Sequence, residues 1–316
     1  MNTAQRTPSS GFSLVELMIS MVLGLILVGG ILTMYLSSKR TLYTTEASSQ
    51  IQETARFALD RISFDVRMTG FWGCQSHDEQ LSSVLHASSS LLDYTASAIQ
   101  GTNNDGPNAS DSLTVALAAQ QAVALLSDMS SAASSLNVGT TTGLQQGDVV
   151  VVNDCENADL FQIDGANPHA SGALLHDADG AMLPGNQHST LSKAYEAGAE
   201  IFRVEQASWS LGDDTDGQPA LMRNGAALIR GVEDLQFAFG IDSNADGSTD
   251  RYLDADDVVD WSMVKNIKLG LLIRSEREVI DNTPAPVTFW GSTFTPSDGY
   301  LRRGFTAVIS LRNRLS

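Results

Sequence analysis

Cysteine is nearly absent from this chain: of 316 residues, only Cys74 and Cys155 carry a thiol. Two are too few for a disulfide-rich scaffold and, alone, too few for a tetrahedral zinc site. Positive charge is scarce too, with nineteen Lys and Arg against thirty-seven Asp and Glu, a formal net of −18. Charged residues total 18%, too few for a highly charged disordered chain, while 42% apolar residues supply a core. The length fits two modest domains, or one domain with an appendage. Catalytic strings are missing as well. The five histidines, His77, His86, His169, His176 and His188, show no H-E-x-x-H spacing, and neither G-x-S-x-G nor a P-loop occurs. No enzyme is expected.

The acidity is uneven. Residues 1–69 hold six basic and five acidic side chains, a net of +1; residues 70–316 hold thirteen against thirty-two, a net of −19. So acidic a body is a poor match for a phosphate backbone, and nucleic acid is not expected as a direct partner.

Residues 1–11 are polar, with Arg6 their only charged side chain. From Leu17 to Ser38 there is no charge, and the apolar part, Leu17 to Leu36, spans about 30 Å as a helix, one bilayer core. A cleavable secretory signal would have a shorter apolar run and small residues after it, whereas this one ends in Met34, Tyr35 and Leu36. A plain anchor leaves Glu16 unexplained at the lip of the run, where a carboxylate is costly without a partner.

The string Gly11-Phe12-Ser13-Leu14-Val15-Glu16 resembles the class III signal of the type IV pilin superfamily. The resemblance implies a cut between Gly11 and Phe12 by prepilin peptidase and N-methylation of Phe12. It also implies a docking role for Glu16, paired with the amine of a neighbouring subunit.

Apolar residues at Ile51, Ala55, Ala58, Leu59, Ile62 and Val66 follow the three-and-four spacing of one buried helix face. Arg56–Asp60 and Arg61–Asp65 read as i,i+4 pairs on the wet side. Gly70 is a natural stop. One helix is therefore expected from Phe12 to Thr69. Gly24, Gly29 and Gly30 lower its local propensity, and it has no proline.

Beyond it, residues 80–146 are rich in Ser, Ala, Thr and Gln, with one strand signal at Leu113–Leu117; the rest reads as loops and short helices. Val149–Val152 is a short apolar run, and Ile201–Trp209 and Ala220–Arg223 flank a probable hairpin loop at 213–217. Three alternating runs follow: Leu235, Phe237, Phe239, Ile241; Ile267, Leu269, Leu271, Ile273; and Phe305, Ala307, Ile309, Leu311. They predict an antiparallel sheet with one face on a core. The fold class is α+β, pilin-like: a long N-terminal spine helix packed on an antiparallel sheet, with a large irregular insertion.

The body resembles the PilW family of type IV pilus minor pilins at RFALDRISFDVRMTGFWGC (56–74), DVVVVNDCENADLFQI (148–163), KAYEAGAEIFRVE (193–205), LIRGVEDLQFAFGIDSNADGSTDRY (228–252), WSMVKNIKLGLLIRS (261–275) and RRGFTAVISLRNR (302–314). By that resemblance residues 1–11 are a leader. Residues 12–36 span the membrane or filament core, 37–69 continue the spine, and 70–316 form a periplasmic head. The chain would sit in the inner membrane by one pass and then enter the pilus, near its tip. There it would serve assembly initiation, and through it twitching motility, adhesion or DNA uptake. The implied partners are other minor and major pilins, prepilin peptidase, the inner-membrane assembly platform and a large tip adhesin. A minor pseudopilin of type II secretion and a membrane-anchored, calcium-dependent binding module are the alternatives.

The same resemblance places Cys74 and Cys155 in a disulfide, against the alternative of two free thiols. An exported body would meet the oxidising compartment where such bonds persist. The run 242–250 matches the first nine positions of a calcium loop, but position twelve is Leu253, so it is not an EF-hand. A looser calcium site would draw on Asp242, Asn244, Asp246 and Asp250 with the Ser248 carbonyl. The alternative is a solvated hairpin turn, which Asx and glycine form unaided. Arg302, Arg303, Arg312 and Arg314 make a basic end that could meet the body's own carboxylates or a neighbouring subunit.

Overall fold

The computed structural model describes residues 11, 13–74, 81–86, 98–140, 142–178, 182–244, 246–280 and 285–314. One helix, Leu14–Met68, runs for 55 residues, about 82 Å at 1.5 Å per residue. Its ends agree with the sequence expectation to within two residues. Gly70 follows with φ +68°, the left-handed stop that ends the helix, and its N–H donates to the Ala116 carbonyl. From Leu14 to Leu42 the helix is exposed on every side; from Ala47 one face is buried. That face carries Ala47, Ile51, Ala55, Ala58, Ile62 and Val66, with Leu59 half-buried beside it.

The three alternating runs form one antiparallel sheet. Strand Val232–Ile241 pairs with Val264–Glu278, which pairs with Tyr300–Ser310, and the short strand Arg251–Leu253 lies on the far edge. Inward residues Leu235, Phe237, Phe239, Ile267, Leu269, Leu271 and Ile309 are all at most 2% exposed and share a core with the spine face. The outer face of this sheet is not bare. The hairpin of Val287–Phe289 and Ser292–Phe294 folds over it, and a Cβ on Gly270 would lie 2.7 Å from the Trp290 ring.

A second, eight-stranded sheet completes the head. Its central strand is Glu200–Asp213, paired with Ser112–Ala124 along one edge. Along the other edge it pairs with Val149–Asn153 and Pro219–Arg223, end to end. Leu113, Val115, Leu117, Ala207, Trp209 and Leu211 face the spine core; Ala116, Ala118 and Phe202 face a separate cluster around Trp72. The spine's distal half therefore lies in a core lined by both sheets.

The stretch 80–146 differs from its sequence reading. Its described residues form strands Leu81–Ser83, Ile99–Thr102, Ser112–Ala124 and Leu136–Asn137, with a single 3-10 turn at Pro107–Ala109 as their only helix. The strand signal at Leu113–Leu117 is the start of a thirteen-residue strand. Its alanine-rich remainder shows no alternation because Ala116 and Ala118 on one face and Leu117 on the other are all buried.

Candidate assembly site

The motif residues sit at the free end of the spine. Gly11 is exposed just ahead of the helix, Phe12 lies outside the described residues, and Glu16 stands exposed in the first helical turn. A carboxylate there lies at the positive end of the helix dipole, which favours its charge. Its backbone carbonyl accepts from the Ser20 hydroxyl at 2.7 Å. The following residues, Leu17 to Leu36, present only apolar or small side chains, all exposed. By length and composition this part of the helix can cross a membrane.

Two contacts mark where the head grips the spine. At the proximal end, Arg277 pairs with Glu46 and stacks 4.6 Å from the Tyr43 ring centroid. Lys39 Nζ lies 5.5 Å from the same ring. At the distal end, Asp65 is 1% exposed and accepts three hydrogen bonds: Trp209 Nε1 at 3.0 Å, Arg223 Nε at 2.9 Å and Arg223 Nη2 at 3.3 Å. Trp209 and Arg223 are cross-strand neighbours, so one register position presents both donors. This corrects the expected wet-side pair with Arg61. Asp65 turns inward because two buried-side donors meet it there, and a charge in that position is held only when paired. A sequence signal existed: Asp65 lies seven residues after Ala58 and so shares its buried face.

The cysteines are joined, with Cα atoms 5.0 Å apart across a separation of 81 residues. The bond ties the segment leaving the spine to the turn after Val149–Asn153. Asn153, 1% exposed, sits beneath it and bonds both arms: its amide donates to the Trp72 carbonyl, and its Oδ1 accepts from the Cys155 N–H at 2.7 Å. Gly73 has φ +96°, and a Cβ there would lie 2.7 Å from Phe202 and 2.8 Å from Asn153. Nothing larger than glycine fits before Cys74. Asn153 itself gave no sequence signal.

The five calcium-loop residues come together in a turn between Val232–Ile241 and Arg251–Leu253. Asp242 accepts from the N–H groups of Asp246 and Gly247, Asp246 accepts from the Ser248 N–H, and Asn244 Oδ1 accepts from the Asp246 N–H. Asp250 accepts from the N–H and hydroxyl of Ser243, which hold its carboxyl below the usual range. These hydrogen bonds close the turn. Among the described residues, no group of three or more His, Cys, Asp or Glu is placed to hold a metal.

Of the basic end, Arg302 is taken inside the head, bonding Glu233 and Asp298 with its side chain 7% exposed. Arg303 and Arg312 are exposed.

Comparison with known families matches this architecture at two places. Residues 6–32 match the prokaryotic N-terminal methylation motif. Residues 201–313 match the type IV pilus-assembly protein W family, PilW. By these two matches the chain is similar to type IV pilus-related pilins, over its amino-terminal motif and its carboxyl-terminal third. The PilW segment contains the whole four-stranded sheet and both donors to Asp65. Of the family-like strings, 228–252, 261–275 and nearly all of 302–314 lie inside the matched range. Those at 56–74 and 148–163, and most of 193–205, lie outside it. No curated protein and no solved structure matches the chain. The motif and the apolar end of the helix together support membrane anchoring by an N-terminal span.

Proposed function

We propose that the chain is a minor pilin of a type IV pilus, cut between Gly11 and Phe12 by prepilin peptidase and methylated on Phe12. The head, from residue 70, stands outside the inner membrane while residues 12–36 hold the bilayer. On assembly the spine leaves the lipid for the filament, near its tip, where the chain helps to initiate growth with other minor pilins. Glu16 then pairs with the amine of a neighbour's first residue, which neutralises two charges that would be costly apart. One observation carries this reading: a prepilin motif leads directly into an unburied apolar helix whose far half lays one face into the core of a PilW-type head.

Mass spectrometry of the mature amino terminus tests it. The expected terminus is N-methyl-Phe12, and Gly11→Asp should abolish the size shift. A mature chain still beginning at Met1 would overturn the reading.

A further inference from the structure

The four-stranded sheet ends on a long open edge. Strand Tyr300–Ser310, eleven residues, pairs with Val264–Glu278 on one side and, among the described residues, with no strand on the other. The Leu311 N–H donates to the Lys265 carbonyl, which sets the phase of that ladder. Phe305, Ala307 and Ile309 therefore turn their backbone groups inward, to Leu271, Leu269 and Ile267, while Thr306, Val308 and Ser310 turn theirs outward. The three outward residues are exposed, Val308 to 57%. No turn or loop of the described residues bonds their N–H or carbonyl groups.

Three other strand edges of the head are short. Arg251–Leu253, on the far side of the same sheet, has three residues, and the eight-stranded sheet ends in Leu81–Ser83 and Ile99–Thr102, of three and four. Short edges resist pairing with another chain. The Tyr300–Ser310 edge lacks such protection. From Gly304 to Ser310 there is no proline and no charge, and the register runs without a bulge from Arg302 to Ser310.

Charge indicates what fits there. From Tyr300 to Ser316 the chain has no Asp or Glu. Arg302 is satisfied inside the head. Arg303 and Arg312, at the two ends of the open stretch, are exposed and have no carboxylate partner among the described residues. Arg303 faces an open groove of about 400 Å³ whose other wall is Thr44, Thr45, Ser48, Ser49 and Gln52 of the spine, so it is the only charge lining it. A second copy of this chain would bring the same edge and no carboxylate for either arginine. An extended segment with acidic residues flanking a β-forming run satisfies both the backbone groups and the guanidinium groups.

We infer that the Thr306–Ser310 edge takes up an extended, acidic segment of a different protein as an added strand of this sheet. The site stands apart from Glu16 and the apolar span, goes beyond the pilin reading and does not depend on processing at Gly11.

Site-specific photocrosslinking tests it. Benzoylphenylalanine replaces Thr306 in the full-length chain, in its own cells, and the adduct is mapped by mass spectrometry. The expected product joins position 306 to a β-forming segment of a different protein that carries Asp or Glu. Val308→Pro removes an N–H that the head itself does not use, so it should keep the fold and lower the yield several-fold. Arg303→Glu with Arg312→Glu, which leaves the backbone intact, should do the same. An adduct to a second copy of this chain, to a spine helix or to lipid overturns the inference, as does no adduct, or a yield unchanged by either change. Should Val308→Pro lower the denaturation midpoint of the head, the charge-reversed pair alone decides.

Discussion

The indole N–H of Trp209 donates to Asp65 at 3.0 Å, bonding the last turn of the spine to a strand 144 residues further along the chain. Arg223 completes the charge pair from the neighbouring strand. Spine and head are thus joined by a buried polar contact as well as by apolar packing.

Replacing Asp65 with alanine should strand Arg223 and the Trp209 N–H. Breaking a fully buried pair costs about 3–5 kcal/mol. Arg223 keeps 26% of its side chain exposed, so roughly 2–3 kcal/mol is expected once solvent screening is allowed for. Asp60→Ala, on the exposed face, should change stability by less than about 0.5 kcal/mol. Chemical denaturation of the two variants in detergent compares them; equal midpoints would remove Asp65 from the spine's attachment.

The Cys74–Cys155 bond closes a long loop, and the chain-entropy model gives it about 4 kcal/mol. Reduction, or the double change to serine, should lower the denaturation midpoint accordingly without altering the site of processing. A midpoint indifferent to reductant would mean that the Asn153 bonds and the surrounding core already fix this junction.

Gly73→Ala should act on the same junction from the backbone. The new methyl meets Phe202 and Asn153 below 3 Å, at a left-handed φ. The expected results are a loss of at least about 1 kcal/mol and slower closure of the disulfide, followed by thiol alkylation during refolding. Closure at the normal rate would show that the loop yields at little cost.

Stability should also follow pH through Asp298. The Arg302 guanidinium holds its carboxyl below the usual range. A depressed carboxyl stabilises the fold above its unfolded-state pKa, and the contribution is lost as pH falls through the folded value. The loss therefore sets in below about pH 4. Asp111 has the opposite sign: burial pushes its carboxyl up, so its ionisation opposes folding and acid relieves that cost. Denaturation midpoints across the acid range should fall less steeply for Asp298→Asn than for the unchanged chain. Identical slopes would rule the pair out as a source of acid sensitivity.

What could be read from the chain alone follows from where local chemistry was sufficient. The alternation at Leu235–Ile241, Ile267–Ile273 and Phe305–Leu311 was visible because each strand has a dry face and a wetter one. The prepilin string was visible because it is read as a contiguous segment. Strand Ser112–Ala124 was largely hidden, since alanine on a doubly buried strand carries no period. Asp65 was misplaced because a helix offers an i,i+4 partner in Arg61, while its true partner is 158 residues away. The packing of the Val287–Phe294 hairpin over Gly270 likewise depends on a distant strand.

The spine is clasped at two levels, Tyr43 with Glu46 by Arg277, and Asp65 by Trp209 and Arg223, with an apolar face between them. Tension drawn along the helix axis loads these contacts in shear, side by side, instead of peeling them one after another. The head then resists extraction as a unit, and its rupture under traction is set by the rate of unfolding of the whole core.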